Sequence, residues 1–158
     1  MRGPIPDPRG AARFAGAGLP LLLALSSCLA EDDRPPPDEG LRTELDIPAG
    51  VPIRRVDLRW REGETRILPR RTEIPPGGVV QFVTLDHRVH LIRFDEGALD
   101  PPALGFLHGT GQDRAPPLLV EGARLVLTFD GAPPGIYPFW VEGNGGRAPG
   151  EIRVLDPD

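Results

Sequence analysis

The sequence contains no lysine, and it has only one cysteine and one methionine among its 158 residues. A lone cysteine cannot form a disulfide within the chain, so other interactions must stabilise the fold. The methionine is Met1, so the rest of the chain offers no thioether sulfur. All 18 basic residues are arginine and the formal charge is −5, whereas nucleic-acid binding needs a basic surface. We therefore expect no nucleic-acid partner.

The N-terminus has the pattern of a secretory signal peptide. Three arginines precede an apolar run at residues 14–27, which is too short for a transmembrane helix. The run ends in LSSC, which resembles the bacterial lipobox, where the cysteine is acylated and becomes the mature N-terminus. We predict a lipoprotein signal peptide at residues 1–27, lipid attachment at Cys28, and an anchored protein in the periplasm or at the outer membrane. The alternative is a plain signal peptide that ends near a cysteine.

Composition divides the rest of the chain into two parts. Residues 28–44 are acidic and proline-rich, and such a segment cannot bury enough apolar surface to order itself. We predict a tether there, which holds the domain away from the membrane. Residues 45–158 are expected to form one domain, in which prolines and glycines separate short apolar runs. That arrangement is typical of a loop-rich β protein.

Short runs with approximate period-two alternation predict seven strands and an all-β fold. The predicted strands are residues 51–60, 66–74, 79–85, 89–94, 124–129, 136–142 and 151–155. Asp100 and the two prolines after it predict the start of one short helix at residues 103–108, which Gly109 would end. Seven short strands in about 100 residues indicate a Greek-key β-sandwich of two antiparallel sheets.

Three segments carry a resemblance to the plastocyanin/azurin-like cupredoxin family. They are GGVVQFVTLDHRVHLIRF at residues 77–94, PPLLVEGARLVLTF at residues 116–129, and GAPPGIYPFWVEGN at residues 131–144. The resemblance covers most of residues 65–155. It implies a cupredoxin-like sandwich, with copper as the cofactor of the family.

The ligand residues of that family are missing from the matching positions. The resemblance places the first copper histidine in a setting like that of His90, and it places the family's cysteine, second histidine and methionine at Val141, Asn144 and about Ala148. A type-1 copper site needs two imidazoles and a thiolate, with a weak axial ligand. We therefore interpret the chain as a degenerate member with vacated ligand positions at Val141 and Asn144, and we expect no cofactor.

The three histidines allow a second interpretation. His87, His90 and His108, with Asp86 beside the first two, are the imidazoles from which a histidine-only copper or zinc site could be built. The spacing matches no strong zinc pattern, however. In the simpler interpretation His90 packs and makes a hydrogen bond at the top of the sandwich, while the other two histidines are solvated.

No enzyme is predicted, because the sequence has no recognisable Ser/His/Asp motif, phosphate loop or paired carboxylates. We predict a lipid-anchored cupredoxin-like protein without a type-1 copper site, which acts as a non-catalytic binding or structural module for an unknown protein partner. The predicted contact face consists of a loop at residues 142–149 and the corner at residues 87–90. The alternative function is copper or zinc binding through the histidine-only site.

Overall fold

A computed structural model of the chain describes residues 39–144 and 146–157. Helix α1 spans Glu39–Glu44, helix α2 spans Pro101–Thr110, and a 3-10 turn lies at Glu96–Ala98. The strands are β1 (Ile53–Arg61), β2 (Glu64–Leu68), β3 (Arg71–Ile74), β4 (Val79–Thr84), β5 (Leu91–Phe94), β6 (Arg124–Thr128), β7 (Gly135–Gly143) and β8 (Gly146–Val154).

These strands form two four-stranded sheets. One sheet has the order β2-β1-β4-β6 and the other has the order β3-β8-β7-β5. The chain changes sheet at every connection from β2 to β7, so the two sheets are joined repeatedly. Apolar side chains from both sheets form one buried cluster. The predicted β-sandwich with one short helix, α2, in the domain is therefore confirmed.

Aromatic side chains occupy the centre of this cluster. The ring of Phe139, on β7, contacts the ring of Phe82, on β4, with 5.2 Å between the ring centroids. Phe129 and Tyr137 form a second edge-to-face pair at 5.3 Å, and Phe106 of α2 packs against both rings. Edge-to-face pairs of this kind add stability beyond the burial of their area. Helix α2 thus closes one side of the sandwich core.

The predicted strand at residues 66–74 is two strands, which is why the described residues form eight strands instead of seven. β2 belongs to the first sheet and β3 to the second, and the cis peptide bond Leu68–Pro69 lies between them. Proline has no N–H to donate to a sheet ladder, so strand pairing is interrupted there. The prediction of one continuous strand was wrong because the alternation of apolar residues continues across this break.

The prediction of purely antiparallel sheets was also wrong. β1 and β4 pair in parallel, with Val56 opposite Phe82, and β3 and β8 pair in parallel, with Thr72 opposite Ile152. The other strand pairs are antiparallel. Parallel neighbours arise because the chain crosses to the other sheet between the two members of each pair. Alternation along a strand indicates its buried face and not its neighbour.

Residues 39–44, predicted as the end of the tether, form α1. Leu41 of this helix is buried together with Ile47, Ile53 and Val79 in a second apolar cluster, so this part of the tether prediction was wrong. Residues 1–38, which contain the predicted signal peptide, Cys28 and the rest of the tether, lie outside the described residues. In the described part of the chain, no helix has the length and apolar character needed to cross a membrane.

Helix α2 is longer than predicted at both ends. It begins at Pro101, directly after Asp100, and it continues through Gly109. It ends at Gly111, which adopts a left-handed conformation with φ of 69° and donates its N–H to the carbonyl oxygen of His108 at 3.3 Å. Glycine is favoured at this position because left-handed backbone strains residues that have a Cβ atom.

Candidate functional site

His90 lies fully buried at one end of the sandwich, just before β5. Two backbone hydrogen bonds fix its position, since His90 N–H donates to the Leu118 oxygen at 3.0 Å and Leu118 N–H donates to the His90 oxygen at 2.8 Å. This bridge joins the corner between β4 and β5 to the segment that precedes β6. The backbone of His90 is therefore fixed against that of Leu118.

Asp86 orients the His90 ring. Its Oδ1 lies 3.0 Å from His90 Nε2 and accepts the N–H of Arg88 at 2.9 Å, while its Oδ2 accepts the N–H of Trp60 on β1. A carboxylate only accepts hydrogen bonds, so Nε2 carries the proton in this contact. Burial favours the neutral acid, but the bonds from Trp60, Arg88 and His90 outweigh it and hold the pKa of Asp86 below its ordinary value of 3.8.

The other ring nitrogen, His90 Nδ1, points towards the end of β7. It has no hydrogen-bond partner among the protein atoms of the described residues, and neither has the buried hydroxyl of Thr65. Both atoms approach Gly143: a Cβ there would lie 2.9 Å from Thr65 Oγ1 and 3.6 Å from His90 Nδ1. A side chain at position 143 would crowd the Thr65 hydroxyl, so the absence of one allows the β7 backbone to lie beside the imidazole.

The inner face next to His90 is apolar. β5 and β7 pair with Ile92 opposite Val141, and because side chains alternate along a strand, His90 and Ile92 share one face. Val141 is fully buried on that face, and its partner on β8 is Ala148, which is also buried. The resemblance assigns three missing copper ligands to positions in this chain, and two of these positions, Val141 and Ala148, therefore lie side by side near His90.

The third position, Asn144, lies elsewhere. The residues predicted as a loop, 142–149, are paired strands: β7 runs to Gly143, β8 begins at Gly146, and these two glycines face each other. Asn144 is exposed in the turn between the strands. A salt bridge of 2.9 Å between Arg147 and Glu142 joins the strands next to it. The loop prediction was wrong, and the sequence Asn-Gly in this turn is the hairpin signal that could have shown it.

The three histidines are not brought together. His87 is 83% exposed and lies 3.2 Å from Glu121, while His108 is 48% exposed and its Nε2 lies 3.7 Å from Glu96. The His90 imidazole pairs with the Asp86 carboxylate at 3.0 Å. Each imidazole thus has its own carboxylate partner. A different group of three side chains of metal-ligand type, Glu96, His108 and Asp113, lies close together, and no sequence pattern indicates it.

The residues that surround His90 do not fit a type-1 copper ion. Such an ion needs a thiolate and a second imidazole in one plane with the first. The inner face offers the side chains of Val141 and Ala148 and the backbone of Gly143, and Asn144 starts from the exposed turn. Besides His90 Nδ1, the buried side-chain atom beside Gly143 that has no hydrogen-bond partner is the Thr65 hydroxyl, which is a weak ligand for copper.

No protein-family model and no curated protein matches the chain. Solved structures do. A purple cupredoxin from Nitrosopumilus maritimus is 20% identical over 64% of this chain and 98% of its own, with a TM-score of 0.43. Plastocyanin from Dryopteris crassirhizoma is 18% identical over 63% of this chain and 98% of its own, with a TM-score of 0.48.

Two further solved structures widen this group. Amicyanin from Paracoccus versutus is 19% identical over 70% of this chain and 86% of its own, with a TM-score of 0.45. A copper-containing nitrite reductase from Thermus scotoductus is 21% identical, and the match covers 68% of this chain but 23% of the reductase, with a TM-score of 0.44. The similar structures thus include a cupredoxin and a plastocyanin, in line with the family that the sequence resembles.

Proposed function

We propose that the chain is a lipid-anchored cupredoxin-like protein that has no type-1 copper site and acts as a non-catalytic binding or structural module. The observation that carries this proposal is the inner face beside His90, where Val141, Ala148 and Gly143 provide no thiolate and no second imidazole. The only cysteine of the whole sequence, Cys28, is the predicted site of acylation, which would consume its thiol. A copper–thiolate bond then has no source within the chain.

The end of the sandwich around His90 is suited to contact another protein. The corner between β4 and β5 presents Leu85 and Val89 to solvent, and the neighbouring segment presents Leu119 and Val120, which are 57% and 59% exposed. The two segments are joined by the backbone bridge at His90. Grouped exposed apolar side chains favour a protein-binding surface. This supports part of the predicted contact face, the corner at residues 87–90.

Titration with copper(II) tests the central claim. A copper–thiolate bond produces an intense visible absorption band. The purified protein is expected to show no such band when copper(II) is added, because no thiolate faces His90. The absorption spectrum is recorded during the titration for the wild type and for Cys28→Ser, which removes the only thiol. A strong visible band in either protein would contradict the proposal, and a band in the wild type alone would identify Cys28 as the ligand.

Cys28→Ser also tests the anchor. The variant is expected to leave the membrane fraction or to remain as the unprocessed precursor, because serine cannot take the lipid at this position. Fractionation and metabolic labelling with a fatty acid measure the two outcomes. Several acyl chains would bind the membrane stably, whereas a single chain binds only marginally. A wild-type protein that incorporates no label would refute lipidation and leave a plain signal peptide.

A further inference from the structure

We propose that Glu96, His108 and Asp113 form a site for a divalent transition-metal cation of the zinc type, separate from the position of His90. One ligand atom of each side chain lies within 4.8 Å of the ligand atoms of the other two. Across residues 39–144 and 146–157, this is the one group of three histidine, cysteine, aspartate or glutamate side chains whose ligand atoms lie this close together. It uses a single histidine and two carboxylates, so it differs from the histidine-only site considered above.

Three separate pieces of local structure bring the ligands together. Glu96 opens the 3-10 turn that follows β5, and Asp95 N–H fixes the start of this turn by donating to the Pro138 oxygen at 2.9 Å. His108 lies in the last turn of α2. Asp113 follows the left-handed Gly111, which reverses the chain so that Asp113 returns towards His108.

Gln112 holds the turn that carries Asp113. Its side-chain amide donates to the Thr128 oxygen at 2.9 Å, and its side-chain oxygen accepts the Thr128 N–H at 2.9 Å. The Gln112 backbone N–H donates to the Leu107 oxygen at 3.0 Å. The turn is therefore attached both to β6 and to α2. The Asp113 side chain is only 12% exposed, so its position is set before a ligand arrives.

The surroundings favour a cation. The carbonyl groups at the end of a helix carry partial negative charge, and His108 lies in the last turn of α2. Arg114 lies 3.3 Å from the Asp113 carboxylate, but its side chain is 90% exposed and is free to turn into solvent when a metal displaces it. Beside the cluster is an open hollow of about 410 Å³, lined by His108, Gly111, Asp113 and Arg114. It leaves room for water molecules to complete the coordination shell.

The donor set selects the class of metal. Magnesium and calcium prefer oxygen ligands alone, so an imidazole among the ligands favours a transition metal. Zinc accepts imidazole nitrogen and carboxylate oxygen in the same shell, at about 2.0–2.2 Å. It also binds more tightly than manganese or iron(II) at a given nitrogen and oxygen site. Because Glu96 and His108 are largely exposed and one position or more is left to water, we expect micromolar affinity.

Calorimetric titration of the full chain with zinc(II) tests this site, with Cys28→Ser in every sample and no histidine tag. The reference protein is expected to bind one zinc ion. His108→Gln and Asp113→Asn should each weaken binding by more than about tenfold, because loss of an outer-shell partner alone costs 10–100-fold. His87→Ala is the matched control, since His87 is also exposed and pairs with a carboxylate but lies outside the cluster.

A second readout locates the ion. The ring signals of His108 should shift in NMR spectra at one equivalent of zinc, while those of His87 should not. Thermal unfolding of each variant without metal checks that the fold is kept, which the exposure of His108 leads us to expect. Absence of saturable binding in the reference protein would overturn the proposal. Equal affinity of His108→Gln and His87→Ala, or zinc-dependent shifts at His87 alone, would also overturn it.

Discussion

Replacing Gly150 with alanine is expected to destabilise the protein by about 3 kcal/mol, the upper end of the usual cost of overpacking a core. Gly150 lies on β8 directly opposite Phe139 of β7, whose ring covers it. A Cβ at position 150 would lie 2.3 Å from Phe139 Cζ, far inside contact distance. An aromatic ring laid over a cross-strand glycine is a recurrent way to fix strand register.

The Phe139 ring has little room to move. It packs edge-to-face against Phe82 at 5.2 Å and against Phe94 at 6.4 Å, and only 2% of the residue is exposed. A methyl group at position 150 must therefore displace three rings or separate β7 from β8. Urea denaturation measures the loss. Surface substitutions usually change the free energy of unfolding by less than about 0.5 kcal/mol. If Gly150→Ala changes the free energy of unfolding by no more than that, the described packing is wrong.

Gly105→Ala is the matched control. Gly105 lies on the exposed side of α2 and a Cβ there would meet no atom within 4 Å. Alanine should stabilise the helix by about 0.8 kcal/mol. The same substitution is therefore expected to raise the free energy of unfolding at Gly105 and to lower it at Gly150. Phe139→Leu in the Gly150→Ala background should recover part of the loss, because the smaller side chain leaves space for the new methyl group.

The sandwich was predictable because its strands alternate between core and solvent. β7 shows the pattern clearly, with Tyr137, Phe139 and Val141 buried and the residues between them more exposed. Strand pairing was not predictable in the same way, since the parallel partners β1 and β4 are separated by β2 and β3 in the chain. Which strand lies next to which depends on contacts between distant segments, and no local pattern encodes them.

Composition misled the interpretation of residues 39–44. The tether was predicted from the average composition of residues 28–44, which is acidic and proline-rich. The structure of the last six residues depends instead on a single leucine. Leu41 is only 3% exposed because it packs with Ile47, Ile53 and Val79 at the edge of the sandwich. Arg42 adds two hydrogen bonds, to the oxygens of Pro48 at 2.6 Å and Val51 at 2.9 Å. Tertiary contacts of this kind override a weak local propensity.

The hairpin between β7 and β8 was missed for a different reason. The glycine-rich stretch at residues 142–149 was interpreted as a loop, although it contains Asn-Gly, the local signal of a hairpin turn. At the site, the family resemblance identified His90, and Asp86 was noted because it lies beside it in one short corner. It did not identify Glu96 and Asp113 as partners of His108, because only the fold brings these segments together.

Replacing Asp86 with alanine is expected to destabilise the protein by about 3 kcal/mol. The substitution removes the acceptor of the Trp60 and Arg88 N–H groups and leaves the fully buried His90 ring with no hydrogen bond at either nitrogen. A buried donor without a partner costs about 1–3 kcal/mol. The buried His90 ring loses its partner completely, and the half-buried Trp60 N–H loses its acceptor as well, so we expect a cost at the upper end of that range. His87→Ala is the control from the same corner, where an exposed pair with Glu121 should contribute less than about 1 kcal/mol.

The pH dependence of stability distinguishes this role from simple loss of packing. Because the pKa of Asp86 is lower in the folded protein than its ordinary value of 3.8, the unfolded chain binds the proton more readily. The carboxylate therefore contributes its full stabilisation above that value and loses it as the pH falls through the lower, folded pKa. Wild type and His87→Ala should both lose this contribution on acidification, whereas Asp86→Ala should lack it. The stability difference between wild type and Asp86→Ala should consequently shrink as the pH falls below 3.8. A difference that stays constant over this range would show that the ionised carboxylate does not hold His90 in place.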